Sequence, residues 1–456
     1  MNSKNQYDVC IIGAGVAGGV LAAYLGQHNI RVAVVEKSLK EQDRIIGELL
    51  QPGGVIKLRE MGLEHLLEGF DAQPVEGYAL FLDGKNFRVS YPPNENGRGF
   101  RNGKFVQKIR EHIKSLPSVT VIEGTVTHVM EEGNIITGIS YTDAATKEEK
   151  TIHAALTVVC DGMFSIFRER LSANVKKVSS YFLGLILKDA NMPYKNHGHV
   201  IVAKPSPCLA YPVTSTETRV LIDFPDKEPP KKSPELVAFL RDQMGPQMPK
   251  ELQPSFYAAV EEGKFKVMPN HLIPATPKLT QGAVLIGDSL NMRHPLTGGG
   301  MTAAFTDILS LGNKLIALKK FDKPSEVTET VRSFYATRHQ QNATINILAD
   351  ALYGVMSNED LKKACYDYLS RGGSYSGEPI SILAAVSRDQ KLLTRHFFAV
   401  AMFGAGNILK PFPTPKKVVR SFNMIRSAVR IIRPLAENER PSRMMRTALN
   451  FSKFLF

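Results

Sequence analysis

Tyr7-Asp8-Val9-Cys10-Ile11-Ile12-Gly13-Ala14-Gly15-Val16-Ala17-Gly18-Gly19 is an apolar run that breaks abruptly into glycine. The apolar half predicts a buried strand, and residues 20–28 predict a helix after the glycines. A second strand is expected at 30–35, with Glu36 at its end. Strand, Gly-x-Gly-x-x-Gly, helix, strand and carboxylate, within about thirty residues, make a dinucleotide-binding βαβ unit. Gly13 permits the tight turn, and Gly15 lets backbone approach a pyrophosphate. Gly18 lets helix and strand pack closely, and Glu36 can bind ribose hydroxyls.

Outward from this unit, alternating apolar residues predict strands at 77–82, 87–91, 119–123, 125–131 and 135–142. An apolar strand at 151–160 ends in Asp161-Gly162. Residues 179–267 are strand-rich with a helix expected at 233–243, which reads as a sheet covering one side of the nucleotide-binding half. A strand at 283–286 then leads into a Gly-rich loop and a helix at 301–319, and beyond about residue 331 the chain reads as helical.

That loop, Gly287-Asp288-Ser289-Leu290-Asn291-Met292-Arg293-His294-Pro295-Leu296-Thr297-Gly298-Gly299-Gly300-Met301, suits a flavin. Asp288, delivered by a strand, can accept hydrogen bonds from a ribityl chain. Gly298, Gly299 and Gly300 allow backbone to lie against a flat ring, and the next helix aims its N–H groups at it, favouring an anionic reduced flavin. The position of the fingerprint near residue 1 also favours FAD over NAD. The fold class expected is therefore α/β: a Rossmann-type FAD-binding domain, a β-sheet substrate domain and a helical C-terminal membrane-associating region. The boundaries expected are 1–178 (with small strand insertions at about 76–124), 179–280, a return to the first domain at 281–345, and 346–456.

The 456 residues are 43% apolar and 22% charged, enough for a large core and too apolar for wholesale disorder. Cys10, Cys160, Cys208 and Cys365 lie far apart, with no metal-ligand spacing; reduced thiols and no metal are expected. No apolar h-region precedes the first strand, so no signal peptide is expected, and no segment reads as about 20 apolar residues able to span a bilayer. The net charge is +13, and residues 410–456 hold eleven Lys/Arg against two Glu, which points to an anionic surface. Val418, Phe422, Ile425, Val429 and Ile432 recur at helical spacing among Arg426, Arg430 and Arg433, with Lys416 and Lys417 at the start. This apolar stripe with a basic face suits an interfacial helix better than nucleic acid.

The fingerprint, the Asp-Gly turn and the Gly-Asp segment, in this order, resemble the class A flavoprotein monooxygenases. Within that class, Arg44-Ile45-Ile46-Gly47-Glu48-Leu49-Leu50-Gln51-Pro52-Gly53-Gly54, residues 156–165, residues 291–301 and His396-Phe397-Phe398-Ala399-Val400-Ala401 resemble squalene monooxygenase. The resemblance implies FAD contacts at Val16, Ala17, Glu36, Lys37, Arg44, Leu49, Arg110, Val126, Asp288 and Met301. It implies Gln51 and Tyr78 beside the flavin and Tyr211 lining the substrate pocket. Lys37 stands where the family often has Arg, and Leu49 where it often has Phe. The activity implied is conversion of squalene to (S)-2,3-epoxysqualene with molecular oxygen, in sterol biosynthesis. A separate NADPH-dependent flavoprotein reductase is implied as electron donor, with the enzyme on the cytosolic face of a membrane, the endoplasmic reticulum in a eukaryote. Epoxidation needs an electrophilic oxygen and an electron-rich alkene but no base on the substrate, so His294 is expected to shape the Pro295 loop. The same fold also serves phenol hydroxylases, isoprenoid reductases and non-catalytic lipid carriers. The string at 291–301 argues against the first two, and the retained Gly13, Gly15, Gly18, Glu36 and Asp288 against the last.

Overall fold

The computed structural model describes residues 6–173, 176–225, 227–230 and 233–439. The four basic residues of the tail beyond 439 lie outside that set.

A parallel sheet organises the first half. Its strands run in the order Val119–Glu132, Val32–Glu36, Tyr7–Ile12, Glu149–Val159 and Ala283–Leu285. The side chains of the first strand alternate, as the two-residue period requires. Val9 and Ile11 join a cluster with Leu21 and Leu25 of helix Val16–Gly26, Ile109 of Asn102–Ser115 and Ile308 of Gly300–Ala317. Cys10 and Ile12 face the other way, into a cluster with Ile139, Tyr141 and Ile152. That second layer is antiparallel: Val119–Glu132 and Glu149–Val159 run past the parallel sheet and pair with Ile135–Asp143. The two strands expected at 119–123 and 125–131 are thus one of 14 residues. The first helix starts at Val16 rather than residue 20, because Gly18 and Gly19 lie inside it, where they let it approach strand and neighbour.

A second sheet runs Lys266–Leu272, Lys177–Lys188, Glu217–Pro225, Cys208–Pro212, His197–Ile201, Gly77–Leu82 and Lys85–Ser90. The hairpin Gly77–Ser90, read from sequence as an insertion in the first domain, instead completes this sheet through a parallel pairing of His197–Ile201 with Gly77–Leu82. One face packs on the short helices between 234 and 262 through Leu185, Ile222, Leu240 and Phe256. The other presents Tyr78, Leu80, Phe182, Tyr211 and Leu221 to the C-terminal helices, through Val355, Ile380, Ala401 and Met424.

Those helices are Pro324–Met356, Glu359–Leu369, Ser374–Leu383, Gln390–Leu409 and Pro415–Asn438. Contrary to the sequence expectation, Gln390–Leu409 is by length and composition apolar enough to cross a bilayer, and only a third of its most apolar stretch is buried. The apolar core that the sequence shows at 397–409 is extended by a polar first turn that the helix also takes up. The stripe expected on the last helix divides. Val429 and Ile432 are buried, Ile432 against Ala343, Ile347 and Leu393, Ile425 is half-buried, and Val418 and Phe422 stay exposed, as does Val419 beside them.

Candidate active site

Four strand ends meet at the carboxyl edge of the parallel sheet, where open α/β sheets bind ligands. Gly13 N–H donates to Val35 carbonyl at 2.8 Å, Cys160 N–H to Ile12 at 2.9 Å and Ile286 N–H to Val159 at 3.1 Å. A Cβ on Gly13, whose φ is +100°, would lie 2.7 Å from the Cys160 carbonyl oxygen, and one on Gly18 only 1.9 Å from that of Gly13. These two glycines are needed by the protein's own packing.

Gly15 and Gly300 differ: a Cβ at either position would meet no atom within 4 Å. Gly15 precedes helix Val16–Gly26 and Gly300 opens helix Gly300–Ala317, and neither helix start has a side-chain cap. Two sets of first-turn N–H groups are therefore available to an anionic or polar ligand laid against bare backbone. Both features fit a dinucleotide flavin better than any internal packing need.

Asp288 follows Gly287, which packs so close to the first of these helices that a Cβ on it would stand 2.9 Å from Ala17 Cβ. Its carboxylate is reachable by solvent yet walled in by protein, so desolvation raises its pKa while Arg293, Arg44 and Arg168 pull it down. Arg168 ties the Asp-Gly turn to this segment. Its Nε donates to the Ser289 carbonyl at 2.9 Å, and one Nη donates to the carbonyls of Gly162, Met163 and Asp288 at 3.0, 3.1 and 3.1 Å. Glu36 accepts Ala14 N–H at 2.7 Å and Ser38 N–H at 3.2 Å, and Arg110 stands 3.4 Å from it while donating to the Ala14 carbonyl at 2.9 Å. Val16, Ala17 and Met301 lie on the first turns of the two open helices. Lys37 and Arg44 are exposed, with Arg44 close enough to act electrostatically on both Arg110 and Asp288. Leu49 is buried beside the second sheet, and Val126 is buried in the cluster under the first.

Gln51 and Tyr78 come together, buried. The Gln51 amide nitrogen is 2.7 Å from Tyr78 Oη and 2.7 Å from the carbonyl oxygen of Thr297, in the Gly-rich loop itself. Tyr91 Oη donates to Gln51 Oε1 at 2.6 Å and meets the Tyr78 ring edge-on at 5.9 Å. Burial raises the pKa of Tyr78, and that of Tyr91 further. Tyr211 belongs to the same apolar cluster, its hydroxyl also pushed well up by burial. Beside it, Arg219 Nε and Glu48 Oε2 form a buried ion pair at 2.6 Å.

His294 does shape its loop. Its Nδ1 accepts Leu296 N–H at 3.2 Å, which leaves the ring proton on Nε2, 2.9 Å from Ser180 Oγ. The ring stacks on Tyr353 at 3.7 Å, and burial lowers its pKa to about 3. Behind the loop, Arg293 donates to Asn291 Oδ1 at 2.7 Å, and Arg338 bridges Asn291 Oδ1 at 3.0 Å and Asp307 at 2.9 Å. Sequence reading singled out neither Tyr91, Arg168 nor the Asp307–Arg338 pair. Tyr91 sits in Ser90-Tyr91-Pro92, an ordinary strand end, and the two arginines act over 120 and 31 residues of chain.

A family model described as squalene epoxidase matches residues 153–421. Squalene epoxidase 1 of Arabidopsis thaliana is 46% identical over 444 residues, covering 95% of this chain and 83% of that one. Squalene monooxygenase of Rattus norvegicus is 37% identical over 454 residues, covering 96% and 78%. A squalene epoxidase of Schizosaccharomyces pombe is 36% identical over 460 residues, covering 95% and 99%. Among solved structures, a probable FAD-dependent monooxygenase from Pseudomonas aeruginosa superposes with a TM-score of 0.66 at 20% identity, over 79% of this chain and 99% of that one. HpxO of Klebsiella pneumoniae, complexed with FAD, superposes with a TM-score of 0.66 at 19% identity, over 83% and 99%. These two share the fold, and the sequence matches carry the assignment further: the chain belongs to the squalene epoxidase family.

Proposed function

We propose that this chain is an FAD-dependent monooxygenase that converts squalene to 2,3-epoxysqualene with molecular oxygen and NADPH-derived electrons. The observation that carries this reading is the buried Gln51–Tyr78 pair, anchored on the Thr297 carbonyl of the Gly-rich loop and backed by an apolar cluster. FAD supplies the chemistry that side chains lack, storing electrons and activating oxygen. The residues that would hold it are Gly15 to Gly18, Glu36 and Arg110 on one side, Asp288 and residues 298–301 on the other. The apolar wall of Leu49, Tyr78, Tyr91, Tyr211 and Leu296 excludes water from the reacting end of a hydrocarbon. His294 does not act on substrate: it is buried, held neutral and engaged at both nitrogens.

Squalene begins in lipid, so moving it into an apolar site brings little hydrophobic gain, and shape and membrane docking must select it. Exposed Met402, Phe412, Val418, Val419 and Phe422, with exposed Lys416, Arg426 and Arg430, support docking through the last two helices on a membrane's cytosolic face. The electron donor in this reading is a separate NADPH-dependent flavoprotein reductase.

Detergent-purified protein supplied with FAD, NADPH, a microsomal reductase and squalene should form 2,3-epoxysqualene by mass spectrometry, and only with the reductase present. FAD-loaded protein that yields no epoxide would remove squalene as the substrate. Flotation with anionic liposomes tests the docking, and Phe412→Ser with Phe422→Ser should abolish it.

A further inference from the structure

Hydrogen-bond bookkeeping around Gln51 leaves a single arrangement. The Thr297 carbonyl oxygen can only accept, so the Gln51 atom 2.7 Å away must be the amide nitrogen. Oε1 then faces the other way, toward Tyr91 Oη at 2.6 Å, where Tyr91 must donate. The second proton of the amide goes to the oxygen of Tyr78, 2.7 Å away. Tyr78 therefore accepts from Gln51 and keeps its own proton to donate, either to the neighbouring Tyr91 oxygen or to a group arriving against its ring. Without Tyr91, Oε1 of a fully buried Gln51 would be left unsatisfied, and the amide could not turn over to relieve it without setting two carbonyl oxygens against each other.

We infer that Tyr91 is a positioning residue for the reaction: acting through Gln51, it holds Tyr78 as a hydrogen-bond donor beside the Gly-rich loop. Its place follows from the hairpin. Strand Lys85–Ser90 pairs Val89 with Tyr78, and Tyr91 N–H donates to the Glu76 carbonyl at 2.8 Å, so the ladder continues one step past the strand end and Tyr91, two residues beyond Val89, shares its buried face. Burial keeps the Tyr91 phenol protonated, as a donor must be. The hydrogen bonds of Tyr91 go to Gln51 and Glu76, away from the helix-start N–H groups and Asp288 that would hold the cofactor, so cofactor binding should not depend on it. The inference rests on the epoxidase reading of this site.

The test is a double-mutant cycle on FAD-loaded protein, with a spectroscopic readout beside it. Tyr91→Phe should lower kcat about tenfold, as expected for one buried hydrogen bond, with FAD content unchanged and KM within about twofold. In the Gln51→Ala background the same change should cost nothing more, because Tyr91 has then lost the group through which it acts. In protein labelled with 15N-glutamine, the Gln51 side-chain amide should show two resolved, slowly exchanging protons that Tyr91→Phe converts to fast exchange. Losses that multiply independently in the double variant, or amide protons unmoved by Tyr91→Phe, would overturn the inference. If the unmodified enzyme forms no epoxide, the epoxidase reading fails, while the amide signal still decides the place of Tyr91.

Discussion

The two glycine-rich turns that open helices Val16–Gly26 and Gly300–Ala317 do the same job by different means. The first is local. Its strand, glycines, helix and carboxylate come from 30 consecutive residues, and a Cβ added at Gly13 or Gly18 would stand 2.7 or 1.9 Å from a carbonyl oxygen of the turn's own surroundings. The second is held from behind by distant chain. Arg293, Asn291, Arg338 and Asp307 buttress it, Asp350 accepts His294 N–H at 3.0 Å, and His294 caps the short turn that leads into the glycines. A turn defined by close contact tolerates no added atom, and a turn defined by buried charge tolerates no lost partner.

The largest effect should come from the first turn. Gly18→Val places a branched side chain where a Cβ alone would already be 1.9 Å from a carbonyl oxygen. Purified protein should be largely unfolded by circular dichroism; a folded, FAD-binding variant would mean the turn is more yielding than its geometry. Next is the second turn's buttress. Arg338→Met leaves Asp307 buried without its 2.9 Å partner and should destabilise by about 3–5 kcal/mol in urea unfolding. A loss under about 1 kcal/mol would show that the loop stands without it.

A pH series sharpens the comparison further. His294 has a pKa of about 3 when folded against an ordinary 6.5. The unfolded chain therefore binds the proton first, and the stability tied to a neutral His294 is complete above pH 6.5 and declines as pH falls toward 3. At pH 5 the wild type should have lost about 2 kcal/mol relative to a His294→Asn variant measured in parallel. Parallel curves would mean that His294 titrates normally. Asp350, beside it with a pKa raised to about 6 by burial, contributes with the opposite sign and is common to both proteins. The smallest effect on folding should come from Gly300→Ala, which meets open space and improves helix propensity by up to about 1 kcal/mol. FAD affinity should nonetheless fall, by about tenfold in a fluorescence titration. Unchanged affinity would mean that no ring lies against residue 300.

What could be read in advance divides along the same line. The fingerprint, the strand before Asp161 and the Gly287–Met301 segment declare themselves by local pattern, because the turn chemistry and the apolar period lie in adjacent residues. Gln51 and Tyr78 were reached only through family resemblance, and nothing in their neighbours says that they meet. Tyr91 was not reached at all, since its role depends on a hairpin closing and on a carbonyl 206 residues away in sequence. The membership of Gly77–Ser90 in the second sheet was missed for the same reason, because the strand looks alike whichever sheet it joins.

That parallel pairing of His197–Ile201 with Gly77–Leu82 has a consequence during synthesis. A nascent chain that has emerged as far as residue 160 contains most of the parallel sheet, yet its hairpin 77–90 has an open edge and no neighbour until residues 197–201, more than a hundred positions beyond the hairpin, have followed. The protein cannot be completed half by half from the ribosome, since the early half carries two strands of the late one. Until then the exposed edge around Tyr78 is an invitation to wrong pairing. A truncation ending near residue 178 would inherit that open edge permanently and should aggregate, so the cofactor-binding half is not a detachable module.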